Sequence, residues 1–153
     1  MRLAETVGIT RSSPDYYALE LGNHVLAGAF YATRLYRDLR EHRGLVYHVG
    51  SSLRMTKTRG MLELEYACDP ENVARARAII VRDLDEMRTT RVRAAELLQA
   101  RRLLLSSMPL DEPVHAAARY LQLGADDIQA AFARWLQPEH LAQVVLGPHP
   151  ATR

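Results

Sequence analysis

Arg40 and Tyr47 are the residues whose types and spacing best suit chemistry, and they flank Gly44 in the run RLYRDLREHRGLVYHV, residues 34–49. A guanidinium offers a planar fork of donors, and a phenol both donates and accepts. An arginine-rich helix that stops at Gly44 puts Arg40 in its last turn. The apolar, β-prone run that starts at once puts Tyr47 in the first residues of a strand. A tight turn between them brings the two side chains back toward each other. A plainer reading stays open. Arg40 is also the cation that a helix C-terminus favours, and Tyr47 also suits a sheet as an ordinary aromatic. Spacing separates Arg40 from its neighbours. Arg34–Asp38 and Arg37–Glu41 are i,i+4 pairs on a solvated helix face, whereas Arg40 and Arg43 have no acid at helical spacing.

Other chemistries find less support. His24, His42, His48, His115, His140 and His149 form neither a His-x-x-Glu-His nor a His-Glu-x-x-His pattern. Glu20 and His24 are i,i+4 and can reach one ion, but a catalytic zinc needs three protein ligands plus water. His42 and His48 straddle Gly44 as surface residues. Ser12-Ser13, Ser51-Ser52 and Ser106-Ser107 lack a Gly-x-Ser-x-Gly context. Cys68, the single cysteine, excludes an internal disulfide and reads as a core filler. Neither a P-loop nor a Gly-x-Gly-x-x-Gly cradle occurs. A net charge of +2 falls short of a nucleic-acid footprint, and no apolar run approaches the length of a membrane span.

The elements that must position the 34–49 corner follow from periodicity. Residues 3–10 alternate as a half-buried strand, with Glu5 as a polar intruder. Ser13-Pro14-Asp15 reads as a helix start with Ser13 at the N-cap, and the helix continues to about Phe30. Gly22 and Gly28 within it leave room for another element to approach. After a break near Ala29-Phe30, a second helix covers 32–43. A strand over 45–53, a polar loop over 55–59 and a return strand over 61–68 make a hairpin, with Leu62, Leu64 and Tyr66 on one face and Glu63 and Glu65 on the other. Asp69-Pro70-Glu71 opens a helix running to about Arg88. Helices follow over 93–105, 114–123 and from Asp126 or Asp127 to Leu136, separated by the breaker SSMPLDEP at 106–113. A final strand covers 141–146. Strands and helices are partly segregated, so the expected class is α+β: a mainly antiparallel sheet with helices on one face, in one domain over residues 1–153.

The text SSPDYYALELGNHVLAGAFYATRLYRDLREHRGLVYHVGSSL, then RGMLELEYACDPENVARARAIIVRDL, resembles the C-terminal domain of the insulinase/pitrilysin zinc metallopeptidases, especially the short bacterial members built from two similar domains. The resemblance runs over residues 3–105 and returns weakly over 135–147. It implies two related α+β domains closed as a clamshell around a chamber. One domain binds zinc through His-x-x-Glu-His and a later glutamate, and the other supplies an arginine and a tyrosine at a spacing matching Arg40 and Tyr47. By resemblance, Tyr47 bonds the scissile-region carbonyl or oxyanion, and Arg40 holds the substrate backbone. The zinc motif is absent here, so the chain resembles the non-metal half. That implies no catalytic residue, metal or cofactor of its own, zinc on a homologous partner domain or subunit, unfolded peptides as substrates, no nucleic acid, and a periplasmic setting. The chain departs from the family between Leu105 and Pro109, where an extra helical stretch is usual. Catalytically inert relatives that serve as scaffolding or assembly subunits supply the alternative.

Overall fold

The computed structural model describes residues 1–28, 32–107 and 114–147, Val114 by its backbone alone. Chain order is β1 (Arg2–Val7), α1 (Tyr16–Leu26), a π-helix (Tyr36–His42), β2 (His48–Met55), β3 (Gly60–Ala67), a 3-10 turn (Pro70–Asn72), α2 (Val73–Thr89), α3 (Ala94–Ser107), α4 (Val114–Gln122), α5 (Ala125–Trp135), a second 3-10 turn (Pro138–His140) and β4 (Ala142–Val144). The four strands form one antiparallel sheet in the order β2-β3-β1-β4. The fold is α+β, as the segregated elements predict.

Alternation sorts the sheet into a dry and a wet face. Leu3 stands opposite Leu64, and Val49 opposite Tyr66, and all four are buried. Glu63 and Glu65 point the other way and pair with Arg54 at 2.6 Å and Arg2 at 3.6 Å. The dry face continues into a core to which all five helices contribute, α3 through Ala100 and Leu104 and α4 through Ala116 and Tyr120. Gly22 on α1 is what lets α5 approach. A Cβ there would stand 2.3 Å from a ring carbon of Phe132 and 2.9 Å from Ile128. Ser51 ties β2 to the end of α1: its N–H donates to Ala27 O at 2.9 Å and its hydroxyl to Asn23 Oδ1 at 2.6 Å.

Several local expectations are corrected. Helix α1 starts at Tyr16 and stops at Leu26, with Ala27 at φ −161° outside helical space. Ser13 does not cap it. Its hydroxyl accepts Thr10 N–H at 3.0 Å, closing the preceding turn. Asp15 is at the N-cap but turns its carboxylate to the indole N–H of Trp135 at 2.7 Å and to Arg134 at 2.7 Å. The expected break at Ala29-Phe30 lies outside the described residues. β2 begins at His48, later than expected. α3 runs through Ser106 and Ser107, whose hydroxyls return to carbonyls of its own last turn. The breaker at 108–113 lies outside the described residues. At α5 it is Asp127, three residues inside, that accepts the N-terminal Gly124 N–H at 2.7 Å.

The largest departure is in the segment before Gly44. Ala32 has φ +81°, so it cannot start a helix, and the helical backbone runs over 34–42 with most of it wound as a π-helix. The wider turn breaks the i,i+4 register. Arg34–Asp38 and Arg37–Glu41 do not pair. Asp38 instead takes Arg43, five residues on, at 2.9 Å, and also Arg82 of α2. Arg34 and Arg37 reach Glu96 of α3, with Nη2···O distances of 3.0 and 3.1 Å. Glu96 also accepts the backbone N–H of Arg93 at 2.9 Å and its side chain at 3.2 Å, which starts α3 as half a capping box. Arg34 and Arg37 are therefore structural clamps, not a solvated face. Leu35 and Leu39, both fully buried, nail the other side of the same segment to the core.

The π-helix ends in a reverse turn at Gly44, φ +59°. Gly44 N–H donates to Arg40 O at 3.2 Å and Leu45 N–H to Leu39 O at 2.8 Å. The left-handed residue after a helix is the usual place of glycine. Leu45 and Val46 then drop into the core, each 5% exposed.

Two measurements test this anchoring. Burial alone would push the Glu96 carboxyl up, but bonds from Arg34 and Arg93 outweigh it and hold it down at about 2, against an ordinary 4.5. The unfolded chain therefore binds this proton more readily than the folded one. The Glu96 contribution is complete above about pH 4.5 and vanishes as pH falls toward 2. Glu96→Gln is expected to lower stability in neutral urea titrations by about 3 kcal/mol, since it strands partly buried guanidinium groups. It should also flatten the acid limb of the stability curve. Gly44→Ala should destabilise by about 1–2 kcal/mol through backbone strain alone, because its Cβ would meet nothing within 4 Å.

Candidate functional site

The corner exposes its two candidate residues on either side of a buried hinge. Arg40 is exposed, and its guanidinium carbon lies 5.3 Å from the ring centroid of Tyr36, one turn earlier. That cation–π contact steers the side chain without consuming its in-plane donors. Among the described residues Arg40 makes no ion pair, unlike Arg34, Arg37 and Arg43. Its carbonyl, meanwhile, closes the Gly44 turn.

Tyr47 occupies the bend just before β2 and is 62% exposed. Its N–H donates to Ala67 O at 2.7 Å, so the backbone already runs beside β3. Its hydroxyl donates to Asp69 Oδ2 at 2.6 Å. That hydrogen bond is the main reason the phenol is raised above its ordinary value. The π-helix thus presents a cation with open donors to solvent, and the bend before β2 presents a carboxylate-bound phenol. A guanidinium donates, and a phenol both donates and accepts, so the two groups differ in the hydrogen bonds they offer.

The remaining candidates resolve as structure. Glu20 Oε1 and His24 Nε2 are 3.8 Å apart and largely shielded. Burial pushes the Glu20 carboxyl up to about 7 and the His24 imidazole down, which weakens any charge on the pair. Among the described residues no group of three or more His, Cys, Asp or Glu is placed to hold a metal ion. Cys68 is half-buried and its thiol is pushed up by burial. Ser51 serves the α1–β2 tie. His42 and His48 are exposed, as expected of surface residues. A cleft of about 460 Å³ lies between the π-helix and α2, lined by Arg34, Arg37, Arg82, Arg91 and Arg93. Each of these arginines already has a carboxylate partner. No helix among the described residues is long and apolar enough to cross a membrane.

Three acids were not singled out from the sequence. Asp69 reads there as a helix cap, yet its carboxylate caps no N–H and goes to Tyr47. Asp83 and Glu96 are 1% and 8% exposed. Each sits on an apolar stripe, Asp83 between Ile80 and Met87 and Glu96 four residues before Ala100. An acid on a buried stripe beside an arginine-rich segment is the signal that would have found them.

Comparison with known proteins identifies the family and the fold. A family model, the peptidase M16 inactive domain, matches residues 4–104, about two thirds of the chain. The peptidase M16 inactive domain from Pseudomonas fluorescens superposes with a TM-score of 0.82 at 25% identity, over 96% of this chain and 42% of that one. The inactive peptidase domain of a Bordetella parapertussis protein assigned as a zinc protease gives 0.78 at 17% identity, over 98% and 93%. A chain of Complex III2 from Candida albicans gives 0.74 at 10% identity, over 88% and 39%, a likeness of fold. The chain thus spans less than half the length of the Pseudomonas fluorescens chain it matches. No curated protein matches the sequence. The chain belongs to the family of peptidase M16 inactive domains, in keeping with the insulinase/pitrilysin resemblance of its sequence.

Proposed function

We propose that this chain, as one domain, is the substrate-holding half of a zinc-dependent endopeptidase, completed by a zinc-bearing homologous domain or subunit. The observation that carries the reading is the corner itself. A buried hinge, Leu45-Val46, leaves Arg40 and Tyr47 facing solvent, in a chain whose family model is that of a peptidase's inactive domain. The expected substrate is an unfolded peptide. Arg40 offers parallel donors to a main-chain carbonyl or a carboxylate. Tyr47 adds a hydroxyl next to the same backbone. Zinc on the partner supplies the Lewis acid and the activated water. This half supplies alignment, and pre-placed hydrogen-bonding groups are worth most where water is excluded by closure.

A second reading, an inert assembly subunit, is favoured by the shared fold with a chain of Complex III2. The two readings differ in what Tyr47 does. Under the first, the chain with added zinc cleaves nothing. Mixed with its zinc-bearing partner it restores cleavage of an unstructured peptide. Tyr47→Phe then lowers the restored kcat/KM by roughly a hundredfold, and Arg40→Ala chiefly raises KM. Stable complex formation with turnover indifferent to Tyr47→Phe would establish the assembly role instead.

A further inference from the structure

The surroundings of Tyr47 define a residue beyond the Arg40–Tyr47 pair. Asp69 Oδ2 lies 2.6 Å from the Tyr47 oxygen, the length of a charge-assisted O–H···O⁻ bond. Asp69 has little freedom of its own. It precedes Pro70, which excludes helical backbone from the residue before it, and it is extended at φ −64°, ψ 149°. Its carbonyl accepts Asn72 N–H at 3.0 Å, fixing it to the turn that opens α2. A carboxylate at this position ordinarily takes an N–H of the helix it precedes. Here it takes none and is spent on Tyr47. Tyr47, by contrast, is an exposed side chain on a bend, with little packing to set its torsions.

We propose that Asp69 is a positioning residue for Tyr47, fixing the direction of the phenol before a peptide arrives. This rests on the reading above, in which Tyr47 touches the substrate. Its consequence is specific. With the proton engaged by Asp69, the phenol oxygen has only lone pairs for a second partner, so it first meets a peptide as an acceptor from a backbone N–H. Donation to a carbonyl or oxyanion requires that the proton leave Asp69. Cys68 and Glu71, the other titratable groups near the phenol, act on it more weakly than Asp69 does.

The test uses Asp69→Asn, which keeps shape and removes charge, with thermal melting as a check on folding. In the chain alone, the Tyr47 phenol is followed by tyrosine ζ-carbon NMR titration, with Tyr47→Phe identifying its signal. Asp69→Asn should lower its pKa, which shows that the Tyr47–Asp69 bond forms in solution. In the pair reassembled with the zinc-bearing partner, Asp69→Asn should lower kcat/KM for an unstructured fluorogenic peptide by roughly tenfold. The double variant Asp69→Asn/Tyr47→Phe should be no worse than Tyr47→Phe alone. An unmoved phenol titration overturns the proposal. So does wild-type cleavage by Asp69→Asn alongside impaired Tyr47→Phe, an outcome that leaves the reading of Tyr47 intact. Wild-type cleavage by Tyr47→Phe overturns both.

Discussion

A carboxylate buried among arginines organises this fold. Glu96 accepts bonds from Arg34, Arg37 and Arg93, so three separate chain positions converge on one side chain. Burying an acid is unfavourable unless its lone pairs are filled, and here each Glu96 oxygen accepts more than one bond. The π-helix therefore has one tolerable seat on α3. The neighbouring cluster of Asp38, Arg43, Arg82 and Asp83 seats its other end against α2. With both ends fixed and Leu35 and Leu39 buried between them, the direction in which the segment meets Gly44 is set.

That direction decides what the corner shows to solvent. The wide turn carries Arg40 outward, away from the arginines that serve the fold, and stacks it on Tyr36. The glycine reverses the chain, and Leu45-Val46 are withdrawn into the core. Tyr47 emerges just before β2, already bonded through its backbone to β3. Arginines that clamp and an arginine that faces outward are thus separated by winding, within ten residues of one another. The division of labour belongs to the backbone, and the side chains follow it.

The strands were legible because alternation is a direct imprint of burial. Leu62, Leu64 and Tyr66 against Glu63 and Glu65 has one reading, and the structure has it. Gly44 was legible because few other residues accept its φ. Capping was less so. Ser13, Asp15 and Asp69 all look like caps, but their side chains answer to a closer turn, to Trp135 and to Tyr47. A short polar side chain takes the best partner in reach, and that partner is often distant in sequence. The π-helix was hidden for a related reason. Salt-bridge arithmetic assumes 3.6 residues per turn, and Asp38–Arg43 makes sense only once the turn is wider. Arg40 and Tyr47 are both solvent-facing, as a glycine turn between a helix end and a strand start implies.

The order of strands has a further consequence, for the time course of folding. β1 lies between β3, at residues 60–67, and β4, at residues 142–144. Asp15, at the start of α1, is held by residues 134 and 135. One edge of β1 therefore remains unsatisfied until residue 144 has left the ribosome, long after its other partner, β3, is available. Pairings so remote in sequence form late, and an open strand edge invites foreign strands in the interval. While residues 68–144 are being made, the nascent sheet has a missing border, and the backbone groups of Arg2–Val7 on that side stay open.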